Sequence, residues 1–311
     1  MAETRDTHLR QANTKATAVG LLTDKKLEIK TDPKTGEKHI EGTVTVKTSD
    51  KNFVTFTVYR KAKKNNGEND SVYAGLVTVM NEFQSVADVG DDSADYIRAT
   101  GQLNPYRGQN GKEVIGYRGS FFNRIRNVEN LVLDASFEVE MFIQSMVPEM
   151  GKDEDGEMSE TGRLKISGWV PTYNGIEPVD LIVPEDLADA CDNTYEPGQT
   201  VEFYGDIVNN SIEEIIEKPV ALGKPKKEVR RSFVNELIVT GGSSPYEGDE
   251  ETDKDHVPYD RDAINAAITE RNIAIEEAKN KAKNGGANSG VGRKGMPSGK
   301  AHGRSLNLMG I

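Results

Sequence analysis

The chain has 311 residues, 35% hydrophobic and 29% charged, with a net charge of -12, which is room for about two domains at roughly 100–200 residues each. No run approaches the ~18 apolar residues of a membrane span, the first twenty residues lack the apolar segment of a secretion signal, and Cys191 as the single cysteine allows no internal disulfide. A reducing cytoplasm is therefore the expected location.

The same inventory removes most enzyme classes. His8, His39, His256 and His302 lie beyond helical or hairpin reach of one another and of Cys191, so no zinc site is expected. There is no phosphate-binding loop, nucleophile elbow or dinucleotide fingerprint. No cofactor and no catalytic residue are expected, and a metal-dependent nuclease accessory would need an acid cluster that the sequence does not reveal.

The charge is unevenly divided. Residues 1–127 carry 20 Lys and Arg against 16 Asp and Glu, a net of +4, and residues 128–240 carry 9 against 24, a net of -15. The remainder, 241–311, carries 10 against 11. A polyanion would be drawn to the first segment and repelled by the second.

In chain order, residues 1–14 form an N-terminal arm. Residues 17–30 alternate weakly and predict a strand or two, and Pro33 and Gly36 mark a turn. The clearest strand signal follows. Val44 and Val46 alternate with Thr43, Thr45 and Lys47, and Val54, Phe56 and Val58 alternate with Phe53, Thr55, Thr57 and Tyr59. A period of two predicts half-buried antiparallel strands. A basic, then polar loop at 60–70 leads into 71–89, read as a helix or a strand plus helix, and 95–127 reads as a hairpin turning at Asn110-Gly111. Five strands with one helix between the third and fourth is the pattern of the oligonucleotide-binding (OB) barrel.

Residues 128–240 repeat that order. Ser120-Phe121-Phe122-Asn123 has a counterpart in Ser232-Phe233-Val234-Asn235, the strands of 162–187 parallel those of 42–60, and 198–208 parallels 99–106. The predicted fold is therefore all-β: two tandem OB-like barrels, at 15–127 (ligand-binding) and 128–240 (acidic, interaction). A flexible tail follows, with an acidic, disordered linker at 241–260, one amphipathic helix at 261–283 and a basic disordered segment at 284–311. Seven Lys or Arg and no acid occur from Lys279 to Arg304.

This organisation, over residues 15–240, resembles the single-stranded-DNA-binding-like proteins of bacteriophages and related mobile elements. The resemblance implies a groove that binds single strands without sequence readout, by backbone contacts and base stacking, in replication or recombination. Those proteins' bacterial counterparts end in an acidic tip with a terminal aromatic residue, whereas this chain ends Arg-Ser-Leu-Asn-Leu-Met-Gly-Ile.

Single-strand binding needs exposed aromatics beside cations. Lys47, Phe53, Tyr59, Arg60, Lys61, Lys63 and Lys64 supply them on the second and third strands and the loop after. Tyr106-Arg107 and Tyr117-Arg118 supply them on the hairpin. Phe56 is assigned to the core, and Phe121 and Phe122 are split between core and surface. Single-stranded DNA is the expected partner, with no membrane. The acidic second domain or the tail is the expected contact for replication or recombination proteins. A phage structural or assembly protein that uses the fold for protein contacts is the alternative.

Overall fold

The computed structural model describes residues 9–108, 110–152, 156–173, 175–218, 226–249 and 251–285, with the backbone alone for 211–218, 226–232 and 282–285. The stretch read as a strand or two is one long strand, β1 (Thr14–Thr31), with a bulge between Leu22 and Asp24. The bulge bends the strand and re-aims its hydrogen-bonding edge. Before it, β1 pairs with β4 (Tyr96–Arg107); after it, with β2 (Lys38–Lys47). β2 pairs with β3 (Phe53–Lys61), β3 runs parallel to β5 (Glu113–Arg124), and β5 returns to β4. The ring is thereby closed in the order β1-β2-β3-β5-β4, which leaves no open sheet edge.

Hydrophobic alternation fills this barrel. Leu22, Ile40, Val44, Val46, Val54 and Phe56 are fully buried, and transfer of the Phe56 ring alone from water contributes about 1.5–3 kcal/mol. Between β3 and β4 the chain forms α1 (Ser71–Glu82) and the single turn α2 (Val86–Val89). Asp70 caps α1 by accepting from the Val72 and Tyr73 amides at 2.9 and 3.0 Å, and Leu76 and Val79 face inward.

The second half repeats this. β6 (Asp134–Lys152), β7 (Met158–Thr172), β8 (Gly175–Val183), β10 (Lys226–Gly242) and β9 (Thr200–Lys218) close a ring in the same order. β8 and β10 are parallel, and α3 (Glu185–Thr194) lies between β8 and β9. Phe137, Met141, Ile143, Ile166, Leu181 and Phe203 are among its fully buried side chains.

Register fixes the equivalence residue by residue. Ala16 of β1 lies against Gly101 of β4, and Phe137 of β6 lies against Gly205 of β9. A Cβ at Gly101 or Gly205 would collide with the carbonyl oxygen of Arg118 or Ile238, respectively. Each glycine stands beside a bulge, at Ser120 in β5 and at Thr240 in β10. Ala16 and Phe137 also pair with each other across β1 and β6. The two rings are therefore related by a local two-fold axis through that pair and share one ten-stranded sheet.

This register corrects one part of the sequence argument. Ser120 sits on the bulge, but Ser232 pairs with Ile212, eight residues before the matching bulge at Thr240. The fold repeats; the shared Ser-Phe-x-Asn segment is not part of the repeat.

The acidic segment expected to be disordered packs against the second ring. Tyr246 and Tyr259 are buried. The Tyr246 amide donates to the Thr200 carbonyl at 2.9 Å, and that of Tyr259 to Thr200 Oγ1 at 2.8 Å. Glu140, fully buried, holds the Arg10 guanidinium through two hydrogen bonds, and Arg10 also donates to the Val257 carbonyl at 2.7 Å. Two aromatic anchors and one buried ion pair outweigh a polar composition that on its own would favour disorder. Asp260 then starts α4 (Arg261–Gly285) by accepting from the Ala263 amide at 2.9 Å. A first compact unit ends at Ala267 and a second begins at Ile268. Ile264, Ile268 and Ile275 recur along α4 at helical spacing. Residues 286–311, including most of the basic segment, and residues 1–8 of the arm lie outside the described residues. Among the described residues no helix is long and apolar enough to cross a membrane.

Candidate nucleic-acid interface

Six of the eleven residues singled out in the sequence line one cleft of about 330 Å³: Tyr59, Arg60, Lys61, Lys63, Lys64 and Arg118. The first three close β3, where all are exposed, and the loop after it carries the two lysines. That loop is ordered by backbone bonds from Ala62 N to Lys38 O (2.8 Å), Lys64 N to Glu68 O (2.8 Å) and Asp70 N to Ala62 O (3.0 Å). Arg118 comes from β5, where it stands beside Thr57 of the parallel β3.

Counter-charges set how much positive field the cleft retains. Arg60 donates to Asp70 at 2.7 and 3.0 Å. This pairing and the α1 amides hold the Asp70 carboxyl below its usual range. Lys61 meets Glu37 at 2.8 Å, which raises its pKa, and Lys64 meets Glu68 at 3.8 Å. Lys63 and Arg118 have no ion pair among the described residues, so their charges face the cleft uncompensated. Tyr59 is 45% exposed and lies 5.1 Å, centroid to centroid, from the His39 ring. One face of a rigid ring beside free cations suits a nucleobase followed by its phosphate.

The other five residues are placed differently. Tyr106, 47% exposed, lines a neighbouring groove that Arg118 also borders. Arg107 is tied to Glu113 at 2.8 Å at the hairpin end. Lys47 and Phe53 oppose each other at the far end of the β2–β3 pair, with Lys47 3.4 Å from Asp50 and the Phe53 carbonyl accepting from Asn209 Nδ2 at 2.8 Å. Tyr117 is a correction. It is 2% exposed, packs against Phe56 with ring centroids 5.9 Å apart, and its buried hydroxyl has no hydrogen-bond partner among the described residues. Side chains alternate along a strand, so Arg118 outward places Tyr117 inward; it cannot be a stacking surface. Phe121 and Phe122 divide as expected, exposed and buried.

The second ring does not repeat these cations at the matching place. Val54 and Val179 are equivalent, each beside the strand residue that faces the bulge of β1 or β6. Counting on from them, Tyr59, Arg60 and Lys61 correspond to Pro184, Glu185 and Asp186. Arg118 corresponds to Ile238, since Thr57 pairs with the first and Ile182 with the second. Acids on this ring crowd one another: burial and then Glu138 raise the Glu202 pKa, and burial and then Asp134 raise that of Asp206. Among the described residues no cluster of His, Cys, Asp or Glu is arranged to hold a metal ion.

The model of the YorF family matches residues 13–281, a span that covers both rings and most of α4. The chain belongs to the YorF family. No curated protein sequence matches it. Among solved structures, this YorF-family chain is similar to the wild-type single-stranded DNA binding protein from Thermus aquaticus. The TM-score is 0.45 at 9% identity, over 80% of this chain and 100% of that one. A deletion mutant of the same protein, delta 228-252 R190A, gives 0.45 at 10% identity over 79% and 100%.

One residue of the YorF-family chain was undervalued in sequence. Tyr173, at the β7–β8 turn, is 90% exposed. The signal was present, an aromatic at a hairpin tip before Gly175, but the acidity of residues 128–240 masks it.

Proposed function

We propose that this protein binds single-stranded DNA without sequence preference, through the first ring, and that it serves DNA replication or recombination in a phage context. The observation that carries this reading is the cleft in which Tyr59 meets five cations, two of them without an ion pair among the described residues. The cations track phosphates and the tyrosine stacks a base; every base has a π-face, so the mode is sequence-tolerant. In this reading the cleft binds and does no bond chemistry: five cations and one phenol ring meet the ligand, and its carboxylate, Asp70, is held by Arg60 and the α1 amides. The domain division that goes with it gives residues 15–127 the ligand and 128–240 the protein contacts.

The test is fluorescence anisotropy of single- and double-stranded oligonucleotides of matched sequence at two salt concentrations. Preference for the single strand is expected, with affinity falling steeply with salt. Replacing Lys61, Lys63 and Lys64 with Ala should weaken binding to all sequences alike and flatten the salt slope by about 0.7 for each phosphate that is no longer neutralised. Equal affinity for both forms, or an unchanged slope, would refute the reading.

A further inference from the structure

The two-fold relation between the rings makes a clamp on one side and leaves a groove on the other. At the clamp, the β2–β3 turn reaches across to β9. Asn52 Nδ2 donates to the Ile207 carbonyl at 2.8 Å, the Asn209 amide donates to Asn52 Oδ1 at 2.7 Å, and Asn52 and Asn210 form a bridge. The two-fold counterpart sets the β7–β8 turn against β4. Register there places Pro105 and Tyr106 where the clamp has Asn209 and Asn210, and Glu177 where it has Asn52. Pro105 has neither the backbone N–H nor the side-chain amide with which Asn209 closes the clamp. The paired β7–β8 arm also runs further before it turns, to Thr172 opposite Gly175 beyond the matched pair Gly168–Val179, whereas β2–β3 stops at Lys47 opposite Phe53, next to Val46–Val54. The counterpart therefore stays open, as a groove of about 310 Å³ in which Tyr106 and Tyr173 take part.

Arg118 lines this groove and the basic cleft alike, so the two border on one residue. The groove carries two exposed tyrosines, Tyr106 and Tyr173, where the cleft carries chiefly cations. We infer that a single strand leaving the basic cleft continues past Arg118 into this groove, where Tyr106 and Tyr173 stack its bases. The acidic second ring thus contributes a base-stacking residue to the site on the first. The inference rests on the single-strand reading above and adds to it a path and a second contributing ring. Guanidinium and ring are well matched to this use: Arg bridges phosphates, and tyrosines accept bases of any sequence.

The experiment uses the full chain with Tyr173→Ala and Tyr173→Phe, titrated by anisotropy with an oligonucleotide long enough to span both depressions, on the order of 16 nucleotides. Thermal melting runs in parallel. Tyr173→Ala should weaken binding roughly 5- to 100-fold, Tyr173→Phe should bind as the native chain does, and neither should melt earlier, because the side chain is almost wholly in solvent. Native affinity in Tyr173→Ala would overturn the path, and so would an equal loss in Tyr173→Phe, since a ring without its hydroxyl still stacks. The Lys61, Lys63 and Lys64 triple variant separates the two claims. If it loses affinity while Tyr173→Ala does not, the path fails and the single-strand reading stands. If the native chain does not prefer single strands, both fall.

Discussion

The two rings share strand order, parallel closing pair and bulge positions, yet they differ at every place where the first could grip a polyanion. Arg60, Lys61 and Arg118 of the first ring meet Glu185, Asp186 and Ile238 in the second. Core positions keep their character across the same comparison: Leu181 and Val201 are fully buried in the second ring where Phe56 and Ile97 are fully buried in the first. The barrel is thus a scaffold whose inward half is constrained by packing, while its outward half is free to carry either sign of charge. Function belongs to the outward residues and not to the barrel.

The largest effect should come from making the first ring resemble the second. Lys63→Glu with Arg118→Glu replaces both uncompensated cations by acids without touching the core or the α1 cap. Hydrogen bonds to charged groups contribute about 1.5–3 kcal/mol each, so single-strand affinity should fall on the order of 100-fold or more with the melting temperature nearly unchanged. Retained affinity in the folded double variant would mean that the charge contrast between the rings is a matter of surface solvation only.

How much of this contrast could be read in the sequence differs by residue. The alternation of Val54, Phe56 and Val58 against Thr55, Thr57 and Tyr59 was legible because a half-buried strand has no other way to arrange itself, and the basic loop was legible because it follows such a strand directly. The repeat was also legible as an order of elements. Its register was not, because bulges at Ser120 and Thr240 shift the phase of the strands, and the hexapeptide that advertised the repeat is eight residues out of step. Tyr117 was misplaced for a related reason: the pair Tyr117-Arg118 looked like a unit, although adjacent strand residues face opposite ways. The packing of Tyr246 and Tyr259 depends on contacts between parts of the chain distant in sequence, such as Arg10 with Val257 and Tyr246 with Thr200, which local pattern does not reveal.

A smaller effect tests the two-fold asymmetry itself. Asn52→Ala leaves the Asn209 amide and the Ile207 carbonyl without their partner on the clamp side. Stranding such groups costs about 1–3 kcal/mol, visible as a lower denaturant midpoint. Glu177→Ala, at the matching position on the open side, should cost less. Equal costs at the two sites would show that the groove is as closed energetically as the clamp, and would weaken the case for a strand passing through it.

The smallest effect concerns the floor of the basic cleft, where Asp70 does two jobs. It caps α1 and it holds Arg60, and those contacts lower its pKa in the folded protein. A carboxyl with a depressed folded value adds stability that is complete above its unfolded value, about 3.9 for Asp, and that is lost as pH falls through the folded value. Asp70→Asn keeps a good capping residue and removes only the charge. Because Arg60 is about half exposed, the pair contributes no more than about 1 kcal/mol at neutral pH. Native chain and variant should therefore differ slightly in stability near neutrality and converge toward about pH 2, as the native Asp70 becomes neutral like its replacement. The second ring offers no equivalent, since Pro184 occupies the cap position of α3 without a side-chain bond. Urea melts of the two proteins across that range measure the difference directly. A gap that stays constant down to the lowest pH at which both remain folded would assign the role of Asp70 to helix capping geometry. It would leave Arg60 as a cation without an energetic counterpart, more available to a phosphate than the present pairing makes it.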